Sequence, residues 1–290
     1  MKIKELAYRI IPERAFRQVA GIIIIHMASY YIPKLINMGR TAYNLSCPVD
    51  SLIPFTPLFV VFYVLAFLQW GVYYLILARE EENVMRRYLT AGAISKIVCM
   101  AVFIVIPTAI ERPEIQQGGV FSFCCRVVYS FDEPTNLFPS MHCLESWLCM
   151  RLALEEHKRG RVPELARSIV RGYSGEMILC VNRKQWKEQS GDFIRIKRSE
   201  IDSLLEKIFS RRQWRLDERI ESVTDEVAEA AEDEGAFFVR VHTLRTSLLS
   251  ILVVLSTLFV KQHYFVDAVA AIILAELSLL TASILEKNRK

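Results

Sequence analysis

"LIPFTPLFVVFYVLAFLQWGVYYLILA", Leu52 to Ala78, runs for 27 residues without a charged side chain. About 20 apolar residues in a helix cross a hydrocarbon core of about 30 Å, so this stretch reads as a membrane span. Working outward, Ala20 to Met38 is a second candidate, and Leu89 to Ile110, which carries Lys96, is a third. Leu244 to Leu285 is apolar over 42 positions, broken by Arg245, Lys261, His263, Asp267 and Glu276, and reads as two spans with polar groups near their turn. Met141 to Leu154, "MHCLESWLCMRLAL", holds Glu145 and Arg151. A charge inside a span is costly unless it faces protein or water, so this segment belongs inside a bundle. The expected architecture is an all-α bundle of six transmembrane helices, consistent with 52% apolar residues and a mean hydropathy of +0.25.

The basic residues orient it. Lys2, Lys4, Arg9, Arg14 and Arg17 precede the first span, Arg79, Arg86 and Arg87 follow the second, and Lys287, Arg289 and Lys290 end the chain. The alternate loops hold only Arg40, and Arg112 with Arg126. By the positive-inside rule both termini are cytoplasmic. The net charge of +4 is then a topology signal and gives no reason to expect nucleic acid. The first apolar stretch has no small-residue cleavage site after it and reads as an uncleaved anchor. Cys47 and the Cys124–Cys125 pair fall in outward loops and could form one disulfide or none; Cys99, Cys143 and Cys149 read as helix-packing residues.

Between Lys158 and Arg240 the composition changes. This block holds 17 of the 36 Lys and Arg and 16 of the 32 Asp and Glu, so no window within it spans a bilayer. "EMILCVN", "DFIRIKR" and "AFFVRVH" read as strands. "EIDSLLEKIFSRR", and the stretch with Leu216, Ile220, Val223, Val227 and Ala230 on one face, read as helices. The expected organisation is a membrane domain over 1–157 (helices one to four), a small α+β cytoplasmic insertion over 158–243, and helices five and six over 244–290. The insertion is either a docking module for an unknown partner or a plain solvated domain.

Three outward-facing boundaries collect polar residues. "IPTAIERPEI" holds Arg112 and Pro113, "NLFPSMH" (Asn136 to His142) precedes the fourth span, and "STLFVKQHYFVDAVAA" carries Ser256, His263 and Asp267. His263 and Asp267 are four residues apart and share a helix face. The carboxylate can accept the imidazole Nδ1–H and leave Nε2 as a nucleophile. His142 is the complementary proton donor. Arg112 offers a planar fork of donors suited to phosphate oxygens.

In order and spacing these blocks resemble the signature of the phosphatidic acid phosphatase type 2 superfamily, which also includes lipid phosphotransferases and vanadium haloperoxidases. The family pattern is Lys-x6-Arg-Pro, then Pro-Ser-x-His, then Ser-Arg-x5-His-x3-Asp. Arg112–Pro113 matches the end of the first block, Pro139 to His142 the whole second, and Ser256, His263 and Asp267 the third. Two cations of the pattern are absent, because its Lys falls at Val105 and its Arg at Thr257. The resemblance covers about residues 50–157 and 244–286 and leaves out the insertion.

The resemblance implies a lipid phosphate or diphosphate phosphatase working through a phosphohistidine on the extracytoplasmic side. His263 would be the nucleophile, Asp267 its orienting partner and His142 the acid–base. Arg112, Ser140 and Lys261 would hold the phosphate, without metal or cofactor. Similar losses of cations occur in the inositol-phosphorylceramide and sphingomyelin synthase branch, where a headgroup passes to an alcohol; Asp132 and Asn136 would there orient the acceptor. A catalytically inactive lipid-binding scaffold is the remaining alternative. If the shortage of cations limits hydrolysis, Thr257→Arg raises it.

Overall fold

The computed structural model describes residues 12–115, 118–159 and 240–289. The apolar stretches are helices: α1 is Glu13–Ile36, the short α2 is Pro48–Leu52, and a 3-10 turn over Pro57–Phe59 leads into α3, Val60–Leu77. Then follow α4, Glu82–Val105, α5, Val120–Phe131, and α6, Met141–Lys158. The last two are α7, Arg240–Phe259, and α8, Phe265–Lys287. Five of these, α1, the Pro57–Leu77 run, α4, α7 and α8, are long and apolar enough to cross a membrane. The chain reads as an integral, multi-pass membrane protein.

The chain divides into two compact units, Met1–Glu155 with Thr243–Lys290, and Glu156–His242. The strands and helices expected within 160–239 lie outside the described residues; the end of the expected strand "AFFVRVH", Arg240 to His242, is instead the first turn of α7, because the apolar helical run that follows extends back over it. Among the described residues there is no strand, only isolated bridges pairing Tyr43 with Thr108 and Ala109 with Thr135. The span expected to begin at Leu52 starts five residues later, at Pro57. Pro54 and Pro57 lack the N–H a helix interior needs, and proline disfavours helical backbone in the residue before it, which keeps 53–56 out of the helix.

The α8 helix packs as membrane helices often do, with small residues inward and large ones outward. In α8 the buried positions include Ala268, Ala271, Ala275, Ser278 and Ala282. Ile273, Leu277, Leu280 and Ile284 on the same helix are exposed. Close backbone approach replaces hydrophobic burial as the source of contact where the solvent is itself apolar. The α4 helix packs against both α1 and α8. Gly92 of α4 sits where an added Cβ would meet Lys96 Nζ at 3.4 Å and Ile22 Cδ1 at 3.6 Å, ordinary contact distances that leave room for a methyl group between α4 and α1.

The α6 helix is too charged for the apolar class and is the enclosed one: Cys143, Leu144, Ser146, Leu148 and Ala153 are all buried. Its Glu145 is 1% exposed and is ion-paired to Lys96 of α4, itself 0% exposed. His26 Nδ1 of α1 lies 3.4 Å from the same carboxylate, and Tyr74 of α3 donates to it at 3.1 Å. Three neighbouring helices thus satisfy one carboxylate, which is how α6 carries a charge in an apolar bundle.

The bundle has two distinct ends. At one, Arg14 at the start of α1 donates to the carbonyl of Glu80, just past α3, and Arg86 at the start of α4 meets Glu286 near the end of α8 at 3.8 Å. Arg87 pairs there with Glu155 near the end of α6. The other end holds the C-termini of α4 and α7 and the N-termini of α3, α6 and α8.

Candidate active site

His263 and Asp267 are positioned by the turn between α7 and α8. Lys261 adopts φ +52°, the left-handed conformation that commonly ends a helix. The N–H groups of Gln262 and His263 then both return to the carbonyl of Thr257, at 2.9 and 3.1 Å. Asp267, in the first turn of α8, accepts the Tyr264 N–H on Oδ2 at 2.8 Å. The same oxygen lies 3.4 Å from His263 Nδ1, so the ring's Nε2 is left for chemistry. Asp50 Oδ1 accepts the Phe265 N–H at 2.7 Å and secures the start of the helix from the α2 side.

His142 arrives on the first turn of α6. The chain enters that helix through Asn136 at φ +56° and a cis Phe138–Pro139 bond. Thr108 Oγ1 accepts the N–H groups of Leu137 and Phe138 at 2.9 and 3.2 Å. Ser140 caps the helix, its Oγ accepting the Cys143 N–H at 3.3 Å. The N–H of Ser140 donates to the carbonyl of Asp267 at 3.1 Å, which ties the two helix starts together. The His142 ring stacks on Tyr63 at 4.3 Å between centroids and touches Trp70 at 5.0 Å. The two imidazoles are 6.1 Å apart, close enough for one bound group to meet both.

Arg112 completes the cluster. Its Nη2 donates to the side-chain Oε1 of Gln262 and to the carbonyl of Asp132 at 2.6 Å, and Nη1 donates to the carbonyl of Tyr129 at 3.2 Å. The guanidinium also lies 4.4 Å from the Tyr129 ring centroid. Burial lowers the Arg112 pKa, with Asp132 acting against it. The Asp132 carboxylate accepts the hydroxyls of Tyr30, at 2.9 Å, and of Tyr63. Burial pushes the Asp132 carboxyl up, but the His142 ring and these two hydroxyl donors outweigh it and hold it below the usual carboxylate range. Arg112 and Tyr63 thus meet at Asp132, the first through its main-chain carbonyl and the second through its carboxylate, and the Tyr63 ring stacks on His142.

Four buried polar atoms here have no hydrogen-bond partner: Arg112 Nε, His142 Nε2, Gln262 Nε2 and Asp267 Oδ1. Buried polar atoms in folded proteins are nearly always satisfied. Three of these four atoms belong to groups able to donate, which suits an oxygen-rich, anionic ligand.

The remaining expected site residues fall elsewhere. Lys261 turns away, its Nζ donating to the carbonyls of Asp50 and Ile53 at 2.9 and 2.5 Å, so its ammonium is committed to the α2 loop. Asn136 Nδ2 donates to the carbonyl of Tyr30 at 3.3 Å. Val105, the position of the resembling pattern's Lys, is 70% exposed on the outside of α4. Thr257 is fully buried and lies 3.5 Å from Cys143 Sγ. The cysteines among the described residues are all free, including Cys47, Cys124 and Cys125. Among the described residues no three His, Cys, Asp or Glu side chains are placed to hold a metal ion.

Gln262 escaped the sequence reading. Its signal was a polar amide beside His263 in a stretch otherwise apolar but for Lys261, with no other reason to be buried. Leucine there removes both the brace on Arg112 and a free N–H donor. If the cluster binds an oxyanion in the transition state, Gln262→Leu lowers kcat by about 10²-fold with a smaller change in KM, measured by steady-state turnover.

The chain matches no family model, no characterised protein and no solved structure. The geometry stands alone.

Proposed function

We propose that the chain is a membrane lipid phosphatase of the phosphatidic acid phosphatase type 2 kind, cleaving a lipid phosphomonoester or diphosphate. The observation that carries this reading is the convergence of His142 and His263, 6.1 Å apart, with Asp267 behind one ring and Arg112 beside the cluster. His263 Nε2 attacks phosphorus while the bond to the leaving oxygen breaks, and His142 hands that oxygen a proton. His142 then takes a proton from water, the hydroxide attacks phosphorus, the P–N bond breaks and phosphate leaves. Arg112 offsets the charge of the equatorial oxygens and the Gln262 amide donates a hydrogen bond to them. Ser140 acts first as the helix cap that aims His142. The gathering of Arg14, Arg86 and Arg87 at the opposite end supports an extracytoplasmic site. The enclosure of α6 supports its being a sixth crossing, built around the Glu145 ion pair.

A second reading is favoured by the charge count. With Val105 outside, Thr257 packed against Cys143 and Lys261 committed to carbonyls, Arg112 is the one cation of the family pattern that remains at the site. One guanidinium and a neutral amide suit the single charge of a phosphodiester better than a dianionic monoester. The same histidines would then transfer a lipid headgroup to an alcohol, with Asp132 near the acceptor.

The test is purified protein in vesicles with radiolabelled phospholipids, with and without alcohol acceptors. Free phosphate supports the phosphatase, a new phosphodiester lipid supports the transferase, and no turnover leaves a lipid-binding scaffold. Thr257→Arg is now expected to lower thermal stability without raising turnover. A guanidinium cannot enter the fully buried contact between Thr257 and Cys143 without displacing it, and overpacking of this kind costs about 1–3 kcal/mol.

A further inference from the structure

The α5 helix has two faces with different work to do. At 12 residues it is about 18 Å long, too short to cross a bilayer. Its inner face carries Cys125 and Tyr129. Cys125 is buried in a cluster with Val60, Tyr63 and Val260, and its Sγ reaches the carbonyl of Pro57 at 3.6 Å. The Tyr129 hydroxyl donates to the carbonyl of Val260 at 2.6 Å. Its outer face is Val120, Phe123, Val127 and Phe131, at steps of 3, 4 and 4, each between 37% and 83% exposed. No charge interrupts this stripe. Arg126 borders it, with its guanidinium 6.0 Å from the Phe123 ring centroid.

We infer that α5 is an interfacial helix: its Val120–Phe123–Val127–Phe131 stripe lies in the acyl-chain boundary of the leaflet beside the site, and the bilayer thereby holds Arg112 in place. Continuity with the lipid-facing surface argues for this occupant over a protein. The α5 helix packs on the Pro57–Phe59 turn, the first turn of a spanning helix whose Leu58, Val61, Val64 and Leu68 are exposed apolar residues. That contact sets α5 at the depth where the span begins. A short helix with an apolar stripe, aromatic side chains and a bordering Arg fits the headgroup–acyl boundary.

The inner face turns this anchoring into a property of the site. Two of the carbonyls that hold Arg112 belong to Tyr129, in the last turn of α5, and Asp132, its C-cap. A helix drawn into the leaflet sets both acceptors, and so the guanidinium, at the height of lipid headgroups. This consequence for turnover rests on the proposed function; the location of the helix does not.

The test uses the full chain in phosphatidylcholine vesicles, with Phe123→Trp and Phe131→Trp as reporters and Ser122→Trp as a control off the stripe. Lipids brominated on the acyl chains quench an adjacent indole. The expected result is quenching of the Phe123 and Phe131 reporters by at least about two-fold over the parent chain's four tryptophans, with little change for the control. Equal emission in brominated and plain vesicles for both stripe reporters overturns the inference and leaves a second protein chain as the cover. Val127→Asp is then expected to lower turnover about ten-fold or more in vesicles. If quenching is seen but no variant nor the parent turns over lipid phosphate, the proposed function fails while the interfacial helix stands. If quenching is seen and Val127→Asp turns over like the parent, the link to Arg112 is overturned.

Discussion

Replacing His263 with Ala is expected to lower the proposed turnover by at least about 10⁴-fold, or about 5 kcal/mol of barrier, while the folded chain keeps its thermal transition. The size follows from what is lost. The covalent route requires an imidazole nitrogen at that position, and Asp267 offers no substitute because its carboxylate faces the ring and the Tyr264 N–H. His142→Ala is expected to fall less far on a substrate with a good leaving group, since such a group departs without a proton. Measuring both variants against an aryl phosphate and a lipid phosphate separates the two roles. An unchanged rate for His263→Ala would remove the mechanism.

The second large effect is on stability. Lys96→Met leaves the Glu145 carboxylate in the bundle with only His26 and Tyr74, and is expected to destabilise the fold by about 3–5 kcal/mol. Lys96→Met combined with Glu145→Leu is expected to recover most of that loss, because the apolar pair needs no compensation. Thermal unfolding in one detergent, compared across the parent, both single variants and the double variant, reads the coupling directly. Additive losses would mean that the two charges do not depend on each other.

The candidate site was legible because its parts are local. His263 and Asp267 sit one helical turn apart, and Arg112 and His142 sit at the ends of stretches whose hydropathy marks them as helix boundaries. What the chain could not disclose was direction. Lys261 lies two residues before His263, yet a left-handed backbone at Lys261 points its ammonium to the α2 loop. Thr257 occupies a position where the resembling pattern has a cation, and only packing shows it wedged against Cys143. Lys96 and Glu145 were each visible as a charge in an apolar stretch, but their pairing joins residues 49 apart in the chain. The α5 helix was hidden for another reason: its stripe is too short for a span, and its Cys and aromatic residues read as loop.

The hydrogen bond from the Ser140 N–H to the carbonyl of Asp267 has a mechanical consequence. Main-chain atoms of the two segments that carry the imidazoles are riveted together, so vibrations that slide one helix along another drag both rings in step. Their gap is thereby insulated from bilayer thickness and lateral pressure. Deuterium should exchange into that amide as slowly as into the most protected positions of the molecule, even in membranes of very different composition.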